Sequence, residues 1–298
     1  MFGRPEYAQV NERVNQVFAE RETVIVSHRG CGVGTAAPET PLAVAGALKS
    51  GADAVNLDVC ASSDLTYYCF HDGYEAELLG IDANLQTLTT AQIDKASYIW
   101  ADQPAHPQRV AKLLPLLREF AGQTLFFLDR SWWRWPHLLQ ALGFLKMPDQ
   151  IVLKCPAREN AALEQLRRFD APYPLVPICA DLAEANAVLD DPKLNVVGLE
   201  LLATTPDGPW FDRDTIDHLH ARGAFCLVNT LSLTTGVPLF GGLDDNSALT
   251  TTPEAAYGPI VDLGIDAIHT DWPWLVRDFL DARHTPARSM PSHLEAVS

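Results

Sequence analysis

The chain has 298 residues, 47% of them hydrophobic, with 22 Lys and Arg against 38 Asp and Glu and a formal net charge of −16. That acidic balance excludes nucleic acid or an anionic membrane surface as the main partner, because either would need basic patches to gain the electrostatic part of binding. The apolar content predicts one globular domain, and neither a signal-peptide core near the start nor a bilayer-length apolar run is present, so the expected location is the cytoplasm. The six cysteines (Cys31, Cys60, Cys69, Cys155, Cys179 and Cys226) lack CxxC spacing and read as buried free thiols.

In chain order, an amphipathic helix over residues 7–20 comes first. Extended apolar runs then follow at 23–30, 54–61, 67–72, 124–130, 150–156, 173–180, 195–202, 224–231 and 266–271. Helical patterns lie between most of them, at 41–49, 113–120, 159–169, 182–189, 214–222 and 253–263. Gly51, Gly122, Gly223 and Gly264 each close a helix just before a strand. This alternation predicts a somewhat distorted α/β barrel of the (β/α)8 TIM type over residues 23–285, after an N-terminal helical extension (1–22) and before a C-terminal tail (286–298). Nine strands is one too many, and only a short turn joins the second and third, so one of those two must depart from regular barrel geometry. Two long connections, 73–109 and 232–251, have room for active-site loops.

A TIM barrel places its chemistry at the C-terminal ends of its strands. The first run, Val24-Ile25-Val26-Ser27-His28-Arg29-Gly30, delivers an imidazole and a guanidinium there, and Tyr67-Tyr68-Cys69-Phe70-His71-Asp72-Gly73 repeats the design with a second histidine and a carboxylate. Glu39, Asp58 and Asp129 are hard oxygen donors, and together with the histidines and Arg29 they suit a divalent cation such as Mg²⁺ or Ca²⁺. His28 and His71 suit a base and an acid, and Arg29 offers a planar fork to phosphate oxygens. Asn56 and Asp58 alternate with Leu57 and so share one face of their strand. Lys154, Glu200 and Asn229 fall at later strand ends. The run Trp132-Trp133-Arg134-Trp135 reads as a wall of the barrel mouth or as packing beneath the next helix, and Trp272 as a pocket residue.

The motifs His28-Arg29-Gly30, Ala37-Pro38-Glu39-Thr40, Gly51-Ala52-Asp53-Ala54-Val55-Asn56-Leu57-Asp58 and His71-Asp72, with the ending Gly264-Ile265-Asp266-Ala267-Ile268-His269-Thr270-Asp271-Trp272-Pro273, resemble the glycerophosphodiester phosphodiesterase family from about residue 23 to 280. The resemblance implies His28 and His71 as the catalytic pair, Arg29 on the phosphate, and Glu39, Asn56, Asp58 and Asp129 as metal ligands. It further implies a small phosphodiester substrate. Two departures stand out. Asn56 replaces a family Glu, and Asp129 replaces another, with Ser131 where a Lys follows it in the family. Lys154 is the expected source of that missing charge at the phosphate. Asp72, Glu200, Asn229 and Trp272 complete the expected pocket. Metal-dependent hydrolysis to a phosphomonoester and an alcohol is the leading expectation, with cyclic-phosphate lyase or transferase chemistry, or phosphate-ligand binding without turnover, as alternatives.

Overall fold

The computed structural model describes residues 1–99, 107–169 and 172–284. Its strands are β1 (Val24–His28), β2 (Ala54–Ala61), β3 (Tyr67–Cys69), β4 (Ala111–Lys112), β5 (Leu125–Asp129), β6 (Ile151–Pro156), β7 (Leu175–Cys179), β8 (Gly198–Leu201), β9 (Phe225–Asn229) and β10 (Ala267–Thr270). Eight of them pair in parallel in the order β1-β10-β9-β8-β7-β6-β5-β2, and β2 returns to β1 to close the (β/α)8 barrel. The extra predicted strand is β3. It runs antiparallel to the far end of β2, through Val59↔Cys69 and Ala61↔Tyr67, because residues 62–66 have no length for a crossover helix. β2 therefore does two jobs, its first half in the barrel wall and its last residues in a rim hairpin that β4 extends.

Helices cover the outside at Pro41–Lys49, Leu113–Glu119, Asn160–Arg168, Leu182–Asp190, Arg213–Ala221 and Pro253–Asp262, each within two residues of its predicted bounds. Thr40 caps the first of them by accepting from the Ala43 N–H. Gly264 has φ +80°, the left-handed conformation that lets a helix stop and a strand begin at once. All six cysteines are buried free thiols. The C-terminal tail at 286–298, and residues 100–106 of the first long connection, lie outside the described residues.

Strand alternation sorts each strand's side chains between the barrel interior and the helices. The interior set at the N-terminal end is apolar: Val24, Val26, Ala54, Leu125, Phe127, Val152, Val176, Phe225, Leu227 and Ala267 form one cluster. The helix Glu12–Glu20 plugs this end, adding Val14 and Val17 to the same cluster. Phe18 stacks on Phe225 at 4.1 Å between ring centroids, and Asn11 and Asn195 exchange hydrogen bonds of 2.9 and 2.8 Å. Moving up the same faces, Ala54 gives way to Asn56 and Asp58, Phe127 to Asp129, Val152 to Lys154, Leu227 to Asn229 and Ala267 to His269. The upper half of the barrel interior is polar for this reason.

Candidate active site

The C-terminal ends of the strands surround a cavity of about 390 Å³ lined by His28, Arg29, Asn56, Asp58, His71, Asp129, Lys154, Glu200 and Asn229, with Tyr74, Arg130, Trp132, His269 and Asp271 among its other walls. An adjoining cavity of about 380 Å³ shares His28, Arg29, Tyr74 and Asp271 with it and adds Trp272. The sequence-predicted residues thus converge on one mouth, with two exceptions. Glu39 is buried beneath it and accepts the Asp58 backbone N–H at 2.7 Å. The Asp72 carboxylate turns aside to Arg130 (2.8 Å) and to Gln86 (2.8 Å). Of the tryptophans, Trp132 lines the main cavity, Trp135 is buried and Trp133 points into solvent.

Each histidine is held by its Nδ1. His28 Nδ1 lies 2.8 Å from Asp271 Oδ1, a carboxylate from the opposite end of the chain brought alongside by the β1–β10 pairing. His71 Nδ1 lies 2.8 Å from the backbone carbonyl of Asp72. A carbonyl can only accept, so that nitrogen carries the proton and the lone pair of neutral His71 sits on Nε2. Burial lowers the His71 pKa, and Arg29 and Arg130 add to that lowering against the pull of Asp58. Asp271 is itself partly desolvated, yet its hydrogen bond and charge contact with His28 hold it below the usual carboxylate range.

Arg29 donates from Nε to Asp58 Oδ2 at 2.9 Å and lies over the Tyr74 ring at 5.1 Å, while the His71 ring meets the same tyrosine edge-on. Burial alone would neutralise Asp58. Arg29, His71, His28 and Lys154 reverse this and keep it ionised. Glu39 has no comparable support: burial and the nearby Asp58 charge push its carboxyl well above the ordinary range. Arg29, Glu39 and Arg130 have φ of +53°, +61° and +52°. Side chains in that region cost about 1–3 kcal/mol each, a strain that surrounding contacts must hold at a working site.

On the other side of the cavity, Lys154 is fully buried and its Nζ lies 3.1 Å from Asn56 Oδ1, 2.5 Å from Asp129 Oδ2 and 2.7 Å from Glu200 Oε2. The first two are hydrogen bonds and the third is an ion-pair contact. Burial would strip the lysine of its proton, but Asp129 and Glu200 hold its pKa above the normal range. Asn229 Nδ2 hydrogen-bonds Glu200 Oε1, and the second Asp129 oxygen accepts the Arg130 N–H at 2.7 Å. His269 is buried against His28, ring centroids 5.2 Å apart, and neither of its nitrogens has a hydrogen-bond partner. Burial holds its pKa well below the ordinary imidazole value. Its inward place was legible in the alternation Ala267, His269, Asp271. Tyr74 had no such signal, since it comes from a loop.

This arrangement does not fit a divalent ion held by Glu39, Asn56, Asp58 and Asp129. Glu39 is beneath the cavity, the Asn56 oxygen serves Lys154, both Asp129 oxygens are engaged, and only Asp58 offers an ionised oxygen. Among the described residues, the one group of three His, Cys, Asp or Glu donors near enough to share an ion is His220, Cys226 and Asp266, at the opposite end of the barrel. Those donors could hold a metal, but an imidazole and a thiol are not the all-oxygen set that Mg²⁺ or Ca²⁺ prefers. Asp266 Oδ2 already ties His220 Nε2 (2.8 Å) to the Cys226 backbone N–H (2.7 Å).

The family model described as "Glycerophosphoryl diester phosphodiesterase family" matches residues 28–274. No curated protein matches the chain. Among solved structures, a glycerophosphoryl diester phosphodiesterase from Parabacteroides distasonis has a TM-score of 0.68 at 16% identity, over 92% of this chain and 93% of that one. A glycerophosphodiester phosphodiesterase from Agrobacterium tumefaciens scores 0.62 at 19% identity, over 85% and 98%. A phosphodiesterase from Oleispira antarctica, in complex with the product sn-glycerol-3-phosphate, scores 0.63 at 16% identity, over 89% and 99%. At such identities the likeness speaks for the fold.

Proposed function

The chain belongs to the glycerophosphoryl diester phosphodiesterase family, and from that premise we propose that it hydrolyses a small glycerophosphodiester-like substrate to a phosphomonoester and an alcohol, with His28 and His71 as the acid–base pair. The observation that carries the reading is the matched anchoring of the two rings: each is fixed through Nδ1, one by a carboxylate and one by a carbonyl, and both line one cavity beside Arg29.

Their different anchors suggest different tasks. His71, neutral and with its lone pair on Nε2, takes a proton from water as the water oxygen attacks phosphorus. Asp271 supports the positive charge of His28 as that ring gives its proton to the departing alkoxide, and the P–O bond to the alcohol breaks. The Arg29 NH groups, with Nε committed to Asp58, are placed to hold non-bridging oxygens. No step in this scheme passes through a metal.

The test is ³¹P NMR of the purified chain with a panel of glycerophosphodiesters and lysophospholipids, with and without Mg²⁺, Ca²⁺ or Mn²⁺. A phosphomonoester signal is expected from at least one of the glycerophosphodiesters. A cyclic phosphate would replace hydrolysis by lyase chemistry, and no conversion anywhere in the panel would overturn the proposal.

A further inference from the structure

A buried ammonium sits at the centre of the residues from which a divalent centre was expected. We propose that Lys154 takes the place of a divalent metal ion in this barrel, a fixed cation that positions Asn56 and Asp129, so that the site binds phosphate without a metal. This rests on the phosphodiester reading above for its ligand class only.

Lys154 spans the barrel interior, touching β2 through Asn56, β5 through Asp129 and β8 through Glu200. An ion ligated by the Asn56 and Asp129 oxygens would have to share those atoms with the ammonium, and two cations that close in a buried space repel strongly. Arg29, Arg130 and Lys154 offset three of the four carboxylates Asp58, Asp129, Glu200 and Asp271 that line the cavity, so the site reaches near-balance with side chains alone.

The orientation of Asn56 points the same way. An ammonium only donates, so the Asn56 carbonyl oxygen must face it, which leaves Nδ2 as the other end of the amide. That nitrogen is buried and has no hydrogen-bond partner, in a residue that lines the cavity. A free N–H donor suits an anionic oxygen and cannot ligate a cation. Hydrogen bonds to Asn56 and Asp129 and an ion pair with Glu200 hold the ammonium in place, so Lys154 acts through Asn56 and through its charge. It is a positioning residue and not the phosphate contact that its sequence position suggests.

The experiment is calorimetry on the full chain after treatment with EDTA, titrating Mg²⁺, Ca²⁺ and Mn²⁺ alone and, separately, inorganic phosphate in EDTA. Expected are no divalent binding at the barrel mouth and phosphate binding that EDTA leaves unchanged. Lys154→Met should weaken phosphate by about ten-fold or more. It should also free Asp129 and Glu200 to bind Mn²⁺, a gain readable by electron paramagnetic resonance. If that variant does not fold, the wild-type titrations still decide.

Phosphate that binds only with a divalent ion, or not at all in EDTA, overturns the proposal. So does ester hydrolysis that requires a divalent ion, while leaving the proposed function intact. Metal-free phosphate binding with no hydrolysis of any ester sinks the proposed function and leaves this inference standing.

Discussion

Among single side chains, what separates the two histidines is the atom on the far side of each ring. A carboxylate stands behind His28 and a carbonyl that fixes the tautomer stands behind His71, so the pair is asymmetric before any substrate arrives. Replacing either histidine by alanine should lower kcat for the hydrolysed ester by about 10²–10⁴-fold, measured by initial rates, with thermal midpoints close to wild type. The pH–rate profile carries a finer prediction. His71 works as the neutral base and its pKa is lowered by burial and by Arg29 and Arg130, so the acidic limb of kcat/KM should lie below 6.5. Arg130→Gln removes one lowering charge and should move that limb upward. A limb that stays in place would exclude His71 as the titrating base. Most residues of the mouth could be read from the sequence because strand alternation fixes which side chains face inward, as for Asn56, Asp58, Asp129, Lys154 and Asn229. Glu39 lies in the loop before the helix Pro41–Lys49 and Asp72 just beyond β3, where chain direction no longer fixes where a carboxylate turns, and Tyr74 is hidden for the same reason.

At the level of strands and helices, most bounds could be read to within two residues, but the first helix begins at Glu12 and not at 7, β3 ends at Cys69 and not at 72, and β8 begins at Gly198 and not at 195. β4 has only two residues, and its pairing with β3 through Tyr68↔Lys112 depends on a partner some forty positions away, a contact that no local pattern encodes. β2 is the instructive element: one uninterrupted apolar run serves two sheets, and only the shortness of the turn after it signalled the change. Lower in the barrel, packing is tight enough to test. A Cβ on Gly198 would stand 2.4 Å from the Phe225 ring, the ring on which Phe18 of the plugging helix stacks. Gly198→Ala should therefore cost about 1–3 kcal/mol, seen as a lower thermal midpoint by circular dichroism. An unchanged midpoint would mean that the helix seats more loosely than described.

For the molecule as a whole, buried titratable groups make stability depend on pH in two opposing ways. His71 and His269 have folded pKa values below 6.5, so their contribution is complete above that pH and is lost as pH falls and the unfolded chain takes up protons first. Asp245 has the opposite sign. Burial raises its pKa to about 6 despite hydrogen bonds from Thr230 and Tyr257, so its contribution is complete below 3.8 and is lost as pH rises through about 6. Glu39 and Glu200, raised by burial, and His220, raised by Asp266, share the sign of Asp245, so the wild-type slope is the balance of two sets. His269→Gln removes one member of the first set and should make the midpoint fall less, or rise more, from pH 7.5 to 5, and a slope that this variant leaves unchanged would contradict the assignment.

The plug at the lower end of the barrel has a consequence for traffic. Among the described residues, Val14, Val17 and Phe18 fill the floor of the barrel, so under the proposed hydrolysis substrate, water and both products would use the mouth at the other end. The two lobes of that doorway meet at His28, Arg29, Tyr74 and Asp271, so a diester lying across them would leave one fragment on each side of the point of cleavage. On the hydrolysis proposed above, the phosphorylated fragment would leave by the same mouth through which the next diester enters, so release and entry compete for one passage.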